Sequence, residues 1–261
     1  MRARFFQLDA FTTHQFAGNP AAVMVLDVFP DDTVLQAIAA ENNLAETAFL
    51  VEDGQDYRIR WFTPTVEVPL CGHATLASAA VVIERLAPGT GQVRFHSASG
   101  ILTVRRDGPV YAMDFPARSC TPIAAPPGMA AALGAEPTEI WWDGSNLIAL
   151  MADAATVRRL EPDLAGVARL PAAGVVATAA GEGDHDCVSR YFAPAKGIAE
   201  DPVTGGAHCA LAPLWAARLG KTEIKAWQAS PRGGALTCRV MGDRVELRGA
   251  CRFYLEGVAI W

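Results

Sequence analysis

Two glycine-containing turns, each opening a helix that is apolar almost all round, constrain this chain more than anything else in it. The first runs Leu70-Cys71-Gly72-His73-Ala74-Thr75-Leu76-Ala77. The second runs Gly197-Ile198-Ala199-Glu200-Asp201-Pro202-Val203-Thr204-Gly205-Gly206-Ala207-His208-Cys209-Ala210-Leu211. Phe62-Thr63-Pro64 precedes the one and Phe192-Ala193-Pro194 the other. The recurrence reads as an old internal duplication of low identity, and a long-period repeat governs the fold before any local detail does. Gly205 and Gly206 carry no Cβ, so a ligand can approach the backbone closely. A helix start offers unpaired N–H groups and the positive end of its dipole, a natural seat for a carboxylate or phosphate. Asp201 and Thr204 stand where a helix N-cap is expected. Two such helix ends facing each other across a cleft would make one site for two anionic groups. Two ordinary helix starts in an α/β protein is the plainer alternative, and the pattern leaves it open.

The 261 residues are enough for one large or two small domains with a sizeable core. A net charge of −6 argues against nucleic acid and against an anionic membrane surface as partners. No apolar run approaches the ~20 residues needed to span a bilayer, and no secretory signal core precedes the first strand pattern. The 6 cysteines form no C-x-x-C pair, so reduced thiols in a cytoplasmic protein are the expectation, with no metal.

In chain order, strands are expected at Arg2–Leu8, Ala21–Leu26, Asp56–Phe62, Gln92–His96, Ile101–Arg106 and Val110–Phe115. An Asp31-Asp32-capped helix runs to about Asn42. Glu46 stands at the entry to a strand among apolar neighbours. It is either a pivot of function or a surface residue on an alternating strand. The first central helix is expected from Ala74 to Leu86, and a helix apolar all round belongs inside a fold. Pro116 to Pro127 reads as the interdomain linker. The second half repeats the plan, with its central helix from Ala207 to Leu219 carrying Pro213, a kink or a first-turn residue. The domains are therefore drawn at 1–117 and 118–261, with the final strand a candidate to return to the first. The physical picture is α+β: two curled sheets, each wrapped round its own apolar helix.

The segments Gly18-Asn19-Pro20, Leu44-Ala45-Glu46-Thr47, Phe62-Thr63-Pro64, Glu67-Val68-Pro69-Leu70-Cys71-Gly72-His73-Ala74-Thr75 and Gly197 to Gly205 resemble the PhzF-like family of phenazine biosynthesis. The resemblance covers both halves in order. It implies the diaminopimelate epimerase-like fold: two pseudo-symmetric domains, each a mixed β-barrel round a central helix. It implies a cofactor-independent isomerase that moves a proton on a small carboxylic acid, working as a homodimer. It implies Glu46 as the acid/base residue, with His73 and Asp201 assisting proton movement or holding substrate. Asn19, Gly72, Thr204, Gly205 and Gly206 are then the substrate-binding positions. The chain departs from the family pattern at Ala45 and Gly206, where serine is frequent, and at Pro69, where aspartate is frequent.

The chemistry suits such a set. Moving a proton along a carbon skeleton needs a base near the carbon and an acid to return the proton. Leu44, Ala45 and Phe49 offer the desolvation that fits a carboxyl for both tasks. Three rivals stand beside this reading. A two-cysteine racemase would use Cys71, but Thr204 occupies the matching place in the second turn. A phosphate or nucleotide binder lacks the Walker and dinucleotide glycine patterns. A non-catalytic carboxylate-binding protein needs the same helix ends and differs only in doing no chemistry.

Overall fold

The computed structural model describes residues 1–261. In chain order the first elements are β1 (Arg2–Ala10), β2 (Asn19–Leu26), α1 (Asp32–Asn42), β3 (Glu46–Asp53), β4 (Asp56–Phe62), β5 (Glu67–Val68), α2 (Gly72–Val81), β6 (Gln92–Ser97), β7 (Gly100–Asp107) and β8 (Val110–Pro116). There follow β9 (Thr121–Ile123), α3 (Met129–Leu133), β10 (Glu139–Trp142), β11 (Leu147–Leu150), α4 (Ala154–Arg159), α5 (Leu164–Ala168), β12 (Val175–Ala180), β13 (Cys187–Ala193) and β14 (Ile198–Asp201). The chain closes with α6 (Gly205–Leu219), β15 (Glu223–Gln228), β16 (Gly234–Met241), β17 (Arg244–Gly249) and β18 (Cys251–Ile260). Two compact units result: residues 1–114 with 248–261, and residues 115–247.

Each unit repeats one topology. In the first, β2 and β3 pair in parallel, β4 pairs with β5 antiparallel, and β4 pairs in parallel with β6 beyond the central helix. In the second, β11 and β12, β13 and β14, and β13 and β15 repeat those three pairings in the same senses. The duplication read from the turns is thus carried by the whole strand plan. The first boundary falls at 114/115 against the expected 117/118, and the final strand takes the return to the first domain for which it was a candidate. β18 pairs antiparallel along β1 from Arg2 to Ala10, so residues 248–261 belong to the first unit and the second ends at 247 rather than 261. β9 pairs with β10 in the same way in the second unit.

The stretch 116–127 is not a free linker. Its β9 joins a sheet, and Cys120 and Arg118 both reach α6. The reason lies in Pro213, which sits inside α6 and has no N–H for the carbonyl of Cys209 four residues back. The Arg118 N–H donates to that carbonyl at 2.9 Å, which repairs the helix where proline opens it.

The central helices are buried as their sequences require. Every residue of α2 from His73 to Val81 is buried, and the helix packs on β1, β2, β3, β7 and β18. Alanines at 74, 77, 79 and 80 supply helix propensity and let the sheet approach closely. Leu76, Val81, Val82 and Ile83 supply apolar volume, each worth roughly 1.5–3 kcal/mol when fully buried. The hydroxyls of Thr75 and Ser78 donate back to the carbonyls of Cys71 and Ala74 at 2.6 and 2.7 Å, so neither hydroxyl is stranded. The helix starts at Gly72, two residues before the expected Ala74, and its last turn, Val82–Leu86, widens to a π turn.

Candidate active site

The first unit builds its polar cluster from a parallel strand pair and a helix end. Asn43 closes α1 in the left-handed conformation, φ 48°, and its N–H donates to the Ala39 carbonyl. That turn delivers the chain into β3, where Ala21 of β2 stands opposite Glu46. Asn42 donates to the Thr47 hydroxyl at 3.1 Å and steadies the entry. Glu46 is therefore the first residue of β3, with its side chain 14% exposed. The first turn of α2 supplies the partner. His73 Nε2 lies 3.1 Å from Glu46 Oε2, within ion-pair range but off the line of N–H donation. On the other side of the ring, Nδ1 lies 3.5 Å from the Cys71 sulfur.

The charges follow from the packing. Burial opposes a charged imidazole at His73, yet the Cys71 sulfur and the Glu46 carboxylate on either side of the ring outweigh it and raise its pKa well above the usual histidine value. The Cys71 thiol is pushed up, by burial first and then by the Glu46 charge, which leaves it protonated at neutral pH. The donor atoms of Glu46, Cys71 and His73 lie within 4.8 Å of one another, so the group invites comparison with a metal site. The imidazole presents opposite nitrogens to its two neighbours, Nε2 to Glu46 and Nδ1 to Cys71.

The second unit builds its counterpart at the start of α6. Thr204 is the N-cap residue, as Cys71 is for α2, and neither side chain caps its helix. The Thr204 hydroxyl turns away and donates to Asp201 Oδ2 at 2.5 Å. Gly205 and Gly206 form the first turn, and a Cβ built on Gly206 meets nothing within 4 Å. His208 is not part of a reactive group. Its Nδ1–H donates to the Thr204 carbonyl at 2.8 Å, and burial lowers its pKa to about 4. Phe62 pairs with Thr47 and its counterpart Phe192 with Val175, so Gly174 stands in the second unit where Glu46 stands in the first, and the acid is present in one repeat only.

Asn19, at the start of β2, is fully buried, two strand positions before the residue opposite Glu46. Gly72 opens α2 beside His73. The structure thus brings Glu46, His73 and Cys71 together in one unit, and Asp201, Thr204, Gly205 and Gly206 in the other. Sequence reasoning missed Gln228, whose side chain binds the turn before α6. It ends an ordinary strand pattern, and nothing local marks it.

A duplicated mixed sheet, each copy wrapped round an apolar helix with an uncapped start and one copy carrying a carboxylate–imidazole pair, defines an isomerase of the diaminopimelate epimerase-like class. Comparison with known proteins agrees: the chain belongs to the family described as phenazine biosynthesis-like protein, matched over residues 8–260. An uncharacterized isomerase of Pseudomonas aeruginosa is 50% identical over 257 residues, covering 98% of both chains. The crystal structure of a PhzF-family phenazine biosynthesis protein from Enterococcus faecalis superposes with a TM-score of 0.97 at 42% identity, covering 100% of both chains. A hydroxyproline epimerase from Agrobacterium vitis shares the fold alone, with a TM-score of 0.63 at 12% identity over 98% of this chain and 92% of that one. No helix is long and apolar enough to cross a membrane.

Proposed function

We propose that the chain isomerises a small carboxylic acid by moving a proton between carbon atoms, with Glu46 as the base that takes the proton and the acid that returns it. The buried approach of Glu46 to His73, at 3.1 Å, carries this reading. A carboxylate held beside an imidazole is kept in place for substrate, and a positioned carboxyl is a competent general base and acid toward a carbon acid. His73 relays the proton or holds the carboxylate. Gly72 and Asn19 bind polar groups of the substrate in the first unit. Asp201, Thr204 and the backbone of Gly205 and Gly206 supply a second polar set at a helix start, where a carboxylate is favoured. The reaction draws on side chains and backbone alone. A buried, protonated Cys71 with threonine at the matching cap weighs against a two-thiol mechanism. The working form is proposed to be a cytoplasmic homodimer, as the family resemblance implies, and light scattering on the purified chain checks the dimer.

The test is proton NMR of pooled cyclic and amino carboxylic acids in D₂O, with wild type and Glu46→Gln side by side. Loss of a C–H signal with wild type only is the expected result. Equal exchange with both proteins removes Glu46 as the base. Binding shifts with both, and exchange with neither, replace the enzyme by a carboxylate-binding protein.

A further inference from the structure

We propose that Gln228 is a positioning residue, holding the turn that carries Asp201 and Thr204 so that the Asp201 carboxylate meets substrate in one fixed orientation. The inference rests on the proposed role of Asp201 in the reaction. Gln228 ends β15 and is 1% exposed, so its amide must find its partners inside the protein. It finds all of them in this turn. Its Oε1 accepts the Thr204 N–H at 2.8 Å. Its Nε2 donates to the Asp201 carbonyl at 2.7 Å and to the Thr204 hydroxyl oxygen at 3.1 Å. The amide has only one workable orientation, because a flipped group would set N–H against N–H and oxygen against oxygen.

That orientation propagates. The amide nitrogen can only donate, so the Thr204 oxygen accepts from it. The hydroxyl proton is then committed to Asp201 Oδ2, at 2.5 Å. One carboxylate oxygen is thereby fixed by a chain of bonds that begins at Gln228. Ser230, two residues on, donates to the Pro202 carbonyl at 2.9 Å and pins the middle of the same turn. The hydroxyl that an N-cap threonine would turn to its own helix is used here to orient an acid. This arrangement explains why Thr204 leaves the start of α6 without a side-chain cap.

Two variants test the role. Gln228→Met keeps the volume and removes every bond. Gln228→Glu keeps the acceptor and, when its carboxyl is protonated, a donor as well, so it should mimic glutamine in acid only. The nearby titratable groups are Asp201 itself, Tyr191 opposite it on β13, and His208, reached through Ser189 beside Gln228. His208 is neutral above about pH 4 and Tyr191 protonated up to about pH 12, so neither moves between pH 5.5 and pH 8.

The first readout is amide hydrogen exchange at Thr204, normalised to the unfolded chain. Gln228→Met should speed it by about tenfold or more, the loss expected for a buried hydrogen bond, while β12 and the first unit keep their protection. Gln228→Glu keeps the acceptor for the Thr204 N–H at every pH, so its Thr204 exchange should stay near wild type, while its ionised carboxyl loses the bonds donated to the Asp201 carbonyl and the Thr204 hydroxyl. The second readout is turnover of whichever acid the D₂O screen selects: kcat should fall about tenfold or more in Gln228→Met and recover in acid, relative to wild type, in Gln228→Glu. Unchanged Thr204 exchange in Gln228→Met overturns the inference, as does full activity of that variant beside an inactive Glu46→Gln. Full activity of Glu46→Gln instead removes Glu46 as the base and leaves the Thr204 exchange to decide the part played by Gln228. If Gln228→Met does not fold, Gln228→Glu decides within one protein, and a flat pH response of its turnover relative to wild type overturns the inference.

Discussion

His73 and Glu46 approach to 3.1 Å in a buried site, yet the imidazole N–H does not point at the carboxylate oxygen. The pair is close enough to hold charge and loose enough to move. Catalytic hydrogen bonds in unliganded proteins are commonly of this kind and tighten when substrate arrives. Residues 46 and 73 meet because a parallel strand pair and a helix end come together, and each of those elements has a simple local cause.

The His73 pair makes stability depend on pH with a definite sign. The folded-state pKa is raised above the unfolded value of about 6.5, so the folded protein holds the proton more tightly. Its contribution is fully present below about pH 6.5 and is lost as pH rises through the folded pKa. The stability gap between wild type and His73→Gln, from urea midpoints, should therefore be larger near pH 6 than near pH 9. A gap that is constant or grows with pH would remove the ion pair.

Cys71 should be dispensable for chemistry. Its thiol is held protonated, and a serine hydroxyl keeps a donor beside His73 Nδ1. Cys71→Ser should retain activity within about threefold in the D₂O assay, since the thiol makes at most one weak bond. A loss of a hundredfold or so would point to a thiol base instead.

Gly206 should accept a side chain. A Cβ there meets nothing within 4 Å, and glycine in a helix costs up to about 1 kcal/mol relative to alanine. Gly206→Ser should fold normally, with a melting temperature equal to or slightly above wild type. Its hydroxyl stands at the mouth of the α6 start, so the KM pattern across the acid panel should shift while Glu46-dependent exchange persists. A drop of several degrees in melting temperature would contradict the open space.

Arg190 should be a structural keystone of the second unit. It pairs with Glu200 through two bonds of 2.8 Å and donates to the Leu160 carbonyl at 2.7 Å, with both side chains mostly buried. Arg190→Met leaves Glu200 without its cation and should cost about 3–5 kcal/mol in urea denaturation. The double variant Arg190→Met with Glu200→Leu should recover part of that loss. Equal losses in the single and double variants would show that the carboxylate is not the source of the cost.

Much of this protein was legible in the chain itself. The two apolar helices, the duplication, the strand runs and the acid at the head of β3 all follow from patterns a few residues long, because backbone propensity and burial period act locally. The candidate site was marked by the resemblance of the segments carrying Glu46, His73 and Asp201 to the PhzF-like family, not by period or propensity. What only the tertiary structure decided involves residues far apart in sequence. The sequence offered the final strand as a candidate to return, and the register of β18 along β1 from Arg2 to Ala10 decided it. The Pro116–Pro127 stretch repairs the carbonyl that Pro213 leaves open, so it is packed and not a tether. Gln228 reaches back to Thr204, which no period or propensity foretells. Such contacts depend on which strands lie side by side once the sheet has closed, and a one-residue change in register would abolish each of them.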